Sequence, residues 1–317
     1  MSKSNLKVAF QMDEMEGINI DGDSTFVLML EAQARGYELW HYLAEDLSYE
    51  DGSVFASARK VEVRREKGNH FSFLSDHTQL DLKSVDVVWM RQDPPFDMSY
   101  ITATHLLDLI ADDTLVMNNP AEVRNAPEKL FVMKFKELMP PTLITRDEDV
   151  VKAFREKHGE IIVKPLYGNG GAGVFHLKEG DSNLGSLMEM FLMNSREPVM
   201  VQKFLPEVRD GDKRIILIDG EAVGAINRVP AKGEVRSNLV AGGVAVRSSL
   251  TEREVEICDT IGPDLKARGL TFVGIDVIGD WLTEINVTSP TGLQAVNQFD
   301  GVNLQAQIWD AVVAKLA

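Results

Sequence analysis

Three oxygen-bearing side chains stand out near the C-terminus: Asp276 in one short apolar run, and Glu284 and Asn286 in the next, each flanked by Ile, Val or Thr. Carboxylate and amide oxygens of this kind suit a hard cation such as Mg2+, which also takes water and phosphate oxygens. An edge hairpin with ordinary polar residues on its wet face would carry the same three residues. An unpaired carboxylate among apolar neighbours is costly, however, and that cost favours metal binding. Strand alternation places Glu284 and Asn286 on one face. A strict two-residue turn at Gly279-Asp280 would pair position 276 with 283 and send Asp276 to the opposite face. Shared coordination therefore demands an odd-length loop or a bulge.

A second cluster is Lys164-Pro165 followed by Gly168-Asn169-Gly170-Gly171-Ala172-Gly173, between two short apolar stretches. Without Cβ atoms in the way, backbone N–H groups in such a loop can approach phosphate oxygens while a lysine neutralises charge. A flexible hairpin loop has the same composition. The segment has neither the Gly-Lys-Ser/Thr ending of a P-loop nor the immediate helix that a Rossmann pyrophosphate loop requires. Lys129 offers a further positive contact. Arg91, Arg214, Arg228 and Arg236 form a third, cationic group able to collect carboxylates and phosphoryl charge, although each alone is more often a surface ion-pair partner. Arg236 lies in the glycine-containing stretch 229–247, long enough to be a functional lid or a disordered connector.

These groups need strands to hold them. Leu6–Phe10, Tyr37–Tyr42, Val85–Met90 and Leu115–Met117 read as strands, alternating with helices over Ser24–Arg35 and Ile101–Ala111, which predicts an α/β first lobe. Asn118-Asn119-Pro120 punctuates the chain near residue 120. A helix over Pro127–Leu138 and strands at Thr142–Thr145, Ile161–Lys164 and Val174–Leu177 follow, then a helix over Leu184–Asn194. Val199–Phe204, Arg214–Ile218 and Glu221–Arg228 predict a mainly antiparallel second sheet, with Asp219-Gly220 as a hairpin turn. Thr251 and Glu254 form a capping box for a helix reaching Arg268, and Phe272–Ile278, Trp281–Val287 and a helix near Leu304–Leu316 close the chain.

Bulk properties narrow the function classes. The 317 residues suffice for more than one lobe, and a formal charge of -16 excludes broad affinity for nucleic acid or anionic membrane, so any anionic ligand must meet a local basic pocket. A single cysteine, Cys258, falls in the apolar helical stripe Val255, Cys258, Ile261, Leu265; it forms no intrachain disulfide and reads as a core residue. No apolar run of membrane-spanning length or secretory signal occurs, which predicts a cytoplasmic protein, and the six scattered histidines lack zinc-ligand spacing.

The clusters, in this order, make the chain resemble an ATP-grasp ligase, and finer segments make it similar to the bacterial-type glutathione synthetase family. Those segments are Met90-Arg91-Gln92-Asp93-Pro94-Pro95-Phe96-Asp97, the glycine-rich loop, Asp210-Gly211-Asp212-Lys213-Arg214, Asn238 to Gly243, and Thr283-Glu284-Ile285-Asn286-Val287-Thr288-Ser289-Pro290-Thr291. The resemblance spans essentially the whole chain. It implies an N-terminal α/β substrate-binding domain (1–120), then an ATP-grasp fold of two α+β lobes, a central one (121–205) and a C-terminal one with a lid loop (206–317). It further implies that Lys129 and Lys164 contact nucleotide phosphates, that Gly168, Asn169, Gly170 and Gly171 cover them, and that Gln202, Lys203, Phe204 and Leu205 line the adenine pocket with Asp212 nearby. Asp276, Glu284 and Asn286 would hold Mg2+ or Mn2+. Arg91, Arg228, Arg236, Ser289 and Thr291 would meet substrate, and Arg214 and Arg228 would face the reacting groups. The implied reaction joins γ-glutamylcysteine to glycine with ATP through an acyl phosphate, in a homotetramer, the alternative being another ATP-grasp ligase with a different acid and amine. One departure from the family is Val244-Ala245-Val246 at the lid end, where a more polar or basic sequence is expected.

Overall fold

A computed structural model describes residues 5–231, 234, 236–237 and 242–317. The Asn238 to Ala241 part of the lid segment lies outside the described residues. The first sheet is built from β1 (Lys7–Gln11), β2 (Glu38–Tyr42), β3 (Leu47–Glu50), β4 (Ser53–Val63), β5 (Phe71–Phe73), β6 (Thr78–Asp81), β7 (Val87–Met90) and β8 (Leu115–Met117). Its order is β3-β4-β2-β1-β7-β8, with β5 and β6 also paired to β4. The centre is parallel: β1 pairs with β2 and β7, and β7 with β8. A parallel centre must be covered on both faces, and every residue of β7 is accordingly buried. Helices α1 (Ser24–Ala34), capped by Asp23, and α2 (Met98–Asp108), capped by Asp97, supply cover.

Two short helices, α3 (Pro120–Arg124) and α4 (Glu128–Phe131), lead to a second, antiparallel sheet. Its strands are β9 (Thr142–Thr145), β10 (Ile161–Pro165), β11 (Phe175–Leu177) and β12 (Val199–Lys203), in the order β11-β10-β12-β9, with α5 (Glu148–His158) and α6 (Leu184–Asn194) alongside. The third sheet is also antiparallel, in the order β15-β14-β13-β16-β17: β13 (Asp212–Ile218), β14 (Glu221–Val229), β15 (Val244–Arg247), β16 (Phe272–Ile278) and β17 (Trp281–Asn286). Helices α7 (Glu252–Ala267), α8 (Leu293–Asp300) and α9 (Leu304–Lys315) complete it.

The first and third sheets share their cores. One cluster joins Ala9, Val88 and Met90 to Ile215, Ile275 and Ile285, and another joins Phe10 and Trp89 to Ile216 and Trp309. Trp309 Nε1 donates to the Leu28 carbonyl at 2.8 Å, satisfying the one polar atom of a fully buried indole. Asn118 stitches the same junction: its amide donates to the carbonyls of Phe272 and Val287, and its oxygen accepts from Phe272 N. The second sheet keeps a core of its own around Val151, Ile161, Val163, Met188 and Val201.

Most predicted elements are present within a few residues. The helix predicted over Pro127–Leu138 is broken instead into α4 and a 3-10 segment, Val132–Leu138, with Phe135 non-helical at φ -111°, ψ 49°. The break brings the Phe131 and Phe135 rings edge to face, 6.0 Å apart, against one core. Asp219-Gly220 makes the expected hairpin turn with φ of 48° and 83°, and the glycine is required there because a Cβ would meet the Gly262 carbonyl of α7 at 2.3 Å. The capping box of Thr251 and Glu254 is formed. Val244-Ala245-Val246 serves as the edge strand β15 with Val244 exposed, so its apolar character belongs partly to sheet pairing. Val255 is exposed, and the buried stripe of α7 runs through Ile257, Cys258, Ile261 and Leu265.

Burial pushes the Cys258 thiol up to about 12. At pH 8 a thiol reagent should therefore modify native protein at least about tenfold more slowly than urea-unfolded protein; equal rates would place Cys258 outside the core.

Candidate active site

The second and third sheets face each other across a cleft of about 340 Å³, with Asp93 and Pro94 reaching its wall from the loop after β7. The hairpin β16–β17 supplies the oxygen cluster. Its turn is the two-residue type that should separate Asp276 from Glu284, yet the two are direct cross-strand partners. A register shift after Asp276 absorbs Thr283 as an extra residue, and the Thr283 hydroxyl donates to the Asp276 carbonyl at 3.0 Å. Of the two devices the sequence reading leaves open, an odd-length loop or a bulge, the structure has the bulge, and it turns Asp276, Glu284 and Asn286 towards one cleft.

Charges of both signs alternate there. Asp276 Oδ1 is 2.5 Å from Arg214 Nε and 3.0 Å from Arg228 Nη2, while its Oδ2 accepts from Arg214 Nη2 at 2.9 Å and from Asn286 Nδ2 at 3.4 Å. Cross-strand register sets this up, since Arg214 lies opposite Asp276 and Asp212 opposite Arg228. Arg228 also reaches Asp212 at 2.6 Å, and Ser237 donates to the same carboxylate. Glu284 Oε1 stands between Lys129 Nζ at 3.4 Å and Lys164 Nζ at 3.7 Å, and Lys129 also donates to the Gly168 carbonyl at 2.7 Å. The glycine-rich loop is thereby anchored on a lysine of another segment.

Burial acts to raise the carboxyls of Glu128, Asp212, Asp276 and Glu284, and their partners decide the outcome. Arg214 and Arg228 overcome burial and hold Asp276 well below the ordinary range, and Lys129 and Lys164 do the same for Glu284. Burial keeps Asp212 above its ordinary value despite Arg228. Burial lowers Lys164 against the pull of Glu284, whereas for Lys129 burial is outweighed by Glu284 and Glu128, which raise it. Glu128, 3.7 Å from Lys129, was not singled out from the sequence; burial and then repulsion from Glu284 push it up to about 7.

Gln202, Lys203, Phe204 and Leu205 line the same cleft, where Gln202 Nε2 donates to Thr142 Oγ1 and Phe204 stacks on His176 with centroids 3.9 Å apart. Asn169, Gly170 and Gly171 border it, as do Arg236, paired with Glu234, and Ser289 and Thr291. Arg91 alone among the sequence candidates does not line it. Its guanidinium is buried one layer behind, donating through Nε to Thr25 Oγ1 and through Nη2 to the carbonyl of Pro290, which does. Arg91 Nη1 has no hydrogen-bond partner among the described residues.

A hard cation fits the oxygen set by donor chemistry, though not as an all-protein cage. Among the described residues no three His, Cys, Asp or Glu side chains converge, so two carboxylates and one amide oxygen would need phosphate or water to complete the shell. The described lining holds no cysteine or histidine, leaving no thiol or imidazole nucleophile; lysines, arginines and backbone N–H groups instead suit a polyanion. Removing Asp276 would strand the buried Arg214 and leave Arg228 with Asp212 alone. Asp276→Ala should cost about 3–5 kcal/mol in urea unfolding at pH 7, and a loss below about 1 kcal/mol would refute the clamp. Because the folded carboxyl titrates below 3.8, this stabilisation is full above that pH and disappears as pH falls through the folded value.

The chain is similar to known proteins along nearly its whole length. Residues 6–124 match the family described as prokaryotic glutathione synthetase, N-terminal domain, and residues 128–301 match prokaryotic glutathione synthetase, ATP-grasp domain. A glutathione synthetase of Mesorhizobium japonicum is 59% identical over 98% of this chain and 99% of its own, and one of Vibrio cholerae is 43% identical over 98% of each. Among solved structures, D-cycloserine synthetase DcsG superposes with a TM-score of 0.69 over 98% of this chain and 100% of its own at 16% identity. D-alanyl-alanine synthetase A from Vibrio cholerae gives 0.63 over 100% and 99% at 14% identity, a likeness of fold. With both halves of the chain matched and its cationic cleft lying where the ATP-grasp sheets meet, this protein belongs to the prokaryotic glutathione synthetase family.

Proposed function

We infer that the cleft ligates γ-L-glutamyl-L-cysteine to glycine at the expense of ATP, releasing glutathione, ADP and phosphate through an acyl phosphate. The observation that carries this reading is the pairing of Glu284 with two lysines and Asp276 with two arginines in one cleft, four cations poised for a polyanion. In this reading residues 1–120 form the substrate-binding domain, 121–205 the central lobe and 206–317 the C-terminal lobe. Lys129 and Lys164 would take nucleotide phosphates with the loop 168–171 over them, and Gln202 to Leu205 the adenine, beside Asp212. Asp276, Glu284 and Asn286 would hold Mg2+, or Mn2+ in its place, and when bound such an ion neutralises phosphate charge and orients its oxygens.

No side-chain nucleophile is called for. The γ-glutamylcysteine carboxylate attacks the terminal phosphorus and ADP leaves; the glycine amine then attacks the acyl carbon and phosphate leaves. Arg214 and Arg228 would stabilise the charge that develops, and the cleft would align the reactants and keep water from the acyl phosphate. Arg236, Ser289 and Thr291 would contact substrate, and Arg91 would act by fixing the Pro290 carbonyl between them. No helix among the described residues is long and apolar enough to cross a membrane. A cytoplasmic homotetramer acting on small molecules, without nucleic acid or membrane, completes the reading.

Purified protein should release ADP and phosphate only when γ-glutamylcysteine, glycine and a divalent cation are all supplied with ATP. A substrate panel in which another acid and amine are ligated and glutathione is not would reject it. Glu284→Ala should lower kcat by at least about 100-fold with an unchanged far-UV circular dichroism spectrum, and near-normal turnover would remove Glu284 from the site. Arg91→Ala should raise the KM for the dipeptide several-fold more than that for ATP; equal KM changes would confine Arg91 to a general structural role.

A further inference from the structure

Five described carboxylates line the cleft: Asp93, Glu128, Asp212, Asp276 and Glu284. Four are balanced by a lysine or arginine within ion-pairing distance: Glu128 by Lys129, Asp212 by Arg228, Asp276 by Arg214 and Arg228, and Glu284 by Lys129 and Lys164. Asp93 differs. Exposed at the cleft wall, its carboxylate accepts from the Ser289 hydroxyl at 2.9 Å and, among the described residues, has no lysine or arginine within ion-pairing distance, the buried Arg91 attracting it only from farther off. Its backbone N–H donates to Asp13 Oδ2 at 2.7 Å, so a second carboxylate stands beside it and deepens the local negative potential.

The surroundings carry the opposite charge one layer down. Arg91, two residues earlier on the same segment, is 4% exposed, holds the Pro290 carbonyl from behind and has an unpartnered Nη1. An exposed anion at the cleft wall is available to a ligand's ammonium, while Arg91 behind Pro290 holds the wall on which it stands. Resting on the ligase reading above, we propose that Asp93 is a specificity-determining residue that holds the α-ammonium of the γ-glutamyl group, with Ser289 fixing its carboxylate. ATP offers no ammonium. Glycine does, but its amine must lose a proton before it can attack, and a fixed carboxylate partner would hold that proton on. The glutamyl ammonium stays charged throughout, so a permanent anion at the wall costs the reaction nothing.

The test compares γ-glutamylcysteine with glutarylcysteine, which lacks only the α-amino group, in wild type, Asp93→Asn and Asp93→Glu. In wild type kcat/KM should favour the ammonium-bearing substrate on the order of 30- to 100-fold, the range for one charge-assisted hydrogen bond. Asp93→Asn should shrink that preference to within about fivefold, by losing activity on γ-glutamylcysteine and not on glutarylcysteine, and Asp93→Glu should restore part of it. If Asp93 only positioned Ser289, both substrates would suffer equally and the ratio would stand, which overturns the proposal. A rise confined to the glycine KM overturns it as well. A wild-type enzyme that ligates neither acid would overturn the ligase reading itself, and the role of Asp93 with it.

Discussion

Four cations and their carboxylates sit together in a cleft largely withdrawn from water, and each is tolerable only because of the others. Asp276 between Arg214 and Arg228, and Glu284 between Lys129 and Lys164, are the two points of balance. Burying any one of these charges alone would be expensive, whereas alternating them lets attraction offset lost hydration. The third sheet exists in the register that makes this possible, with Arg214 opposite Asp276 and Asp212 opposite Arg228. An anionic ligand with its cation would exchange one set of partners for another.

The division of the cores bears on how such a cleft opens. The first and third sheets are welded through shared apolar clusters and the Asn118 bridge, while the second sheet packs on itself. Among the described residues, contacts that reach across from it at the site include Lys129 to Gly168 and Phe96 facing Tyr167 with ring centroids 6.2 Å apart. An independently cored lobe beside a jointly cored pair is an arrangement in which closure over a ligand costs little packing energy.

Much of the architecture was legible because the strands that carry the site are apolar and sharply bounded. The hairpin of Asp219-Gly220, the capping box of Thr251 and the need for an odd-length loop or a bulge between Asp276 and Glu284 all follow from local chemistry. The first sheet's outer strands were not, since the buried positions of β4 include the small Ala56 and Ala58, set between Phe55, Ser57 and Arg59, and its Ala58-to-Val61 step breaks the period of two. Helix α5 hides for a related reason: it buries only Val151 and is otherwise mostly charged. Within the site, residue types announced the oxygen and cation clusters, but which cation faces which carboxylate is a matter of register. The resemblance puts Arg91 near the substrate, but that its guanidinium lies behind Pro290 follows from tertiary packing that no local pattern encodes. Glu128, next in sequence to Lys129, gave no signal apart from that adjacency.

The unpaired Thr283 also loosens the tie between the two ends of its hairpin. In an unbroken ladder, the side on which Glu284 emerges would be dictated by the parity of the residues back to the tip. With one residue set aside, a tight turn and a correctly facing Glu284 coexist. Drift at the tip that keeps this odd count leaves the oxygen cluster untouched, so evolution can vary the solvent-side loop at Gly279-Asp280 while the inner end stays fixed.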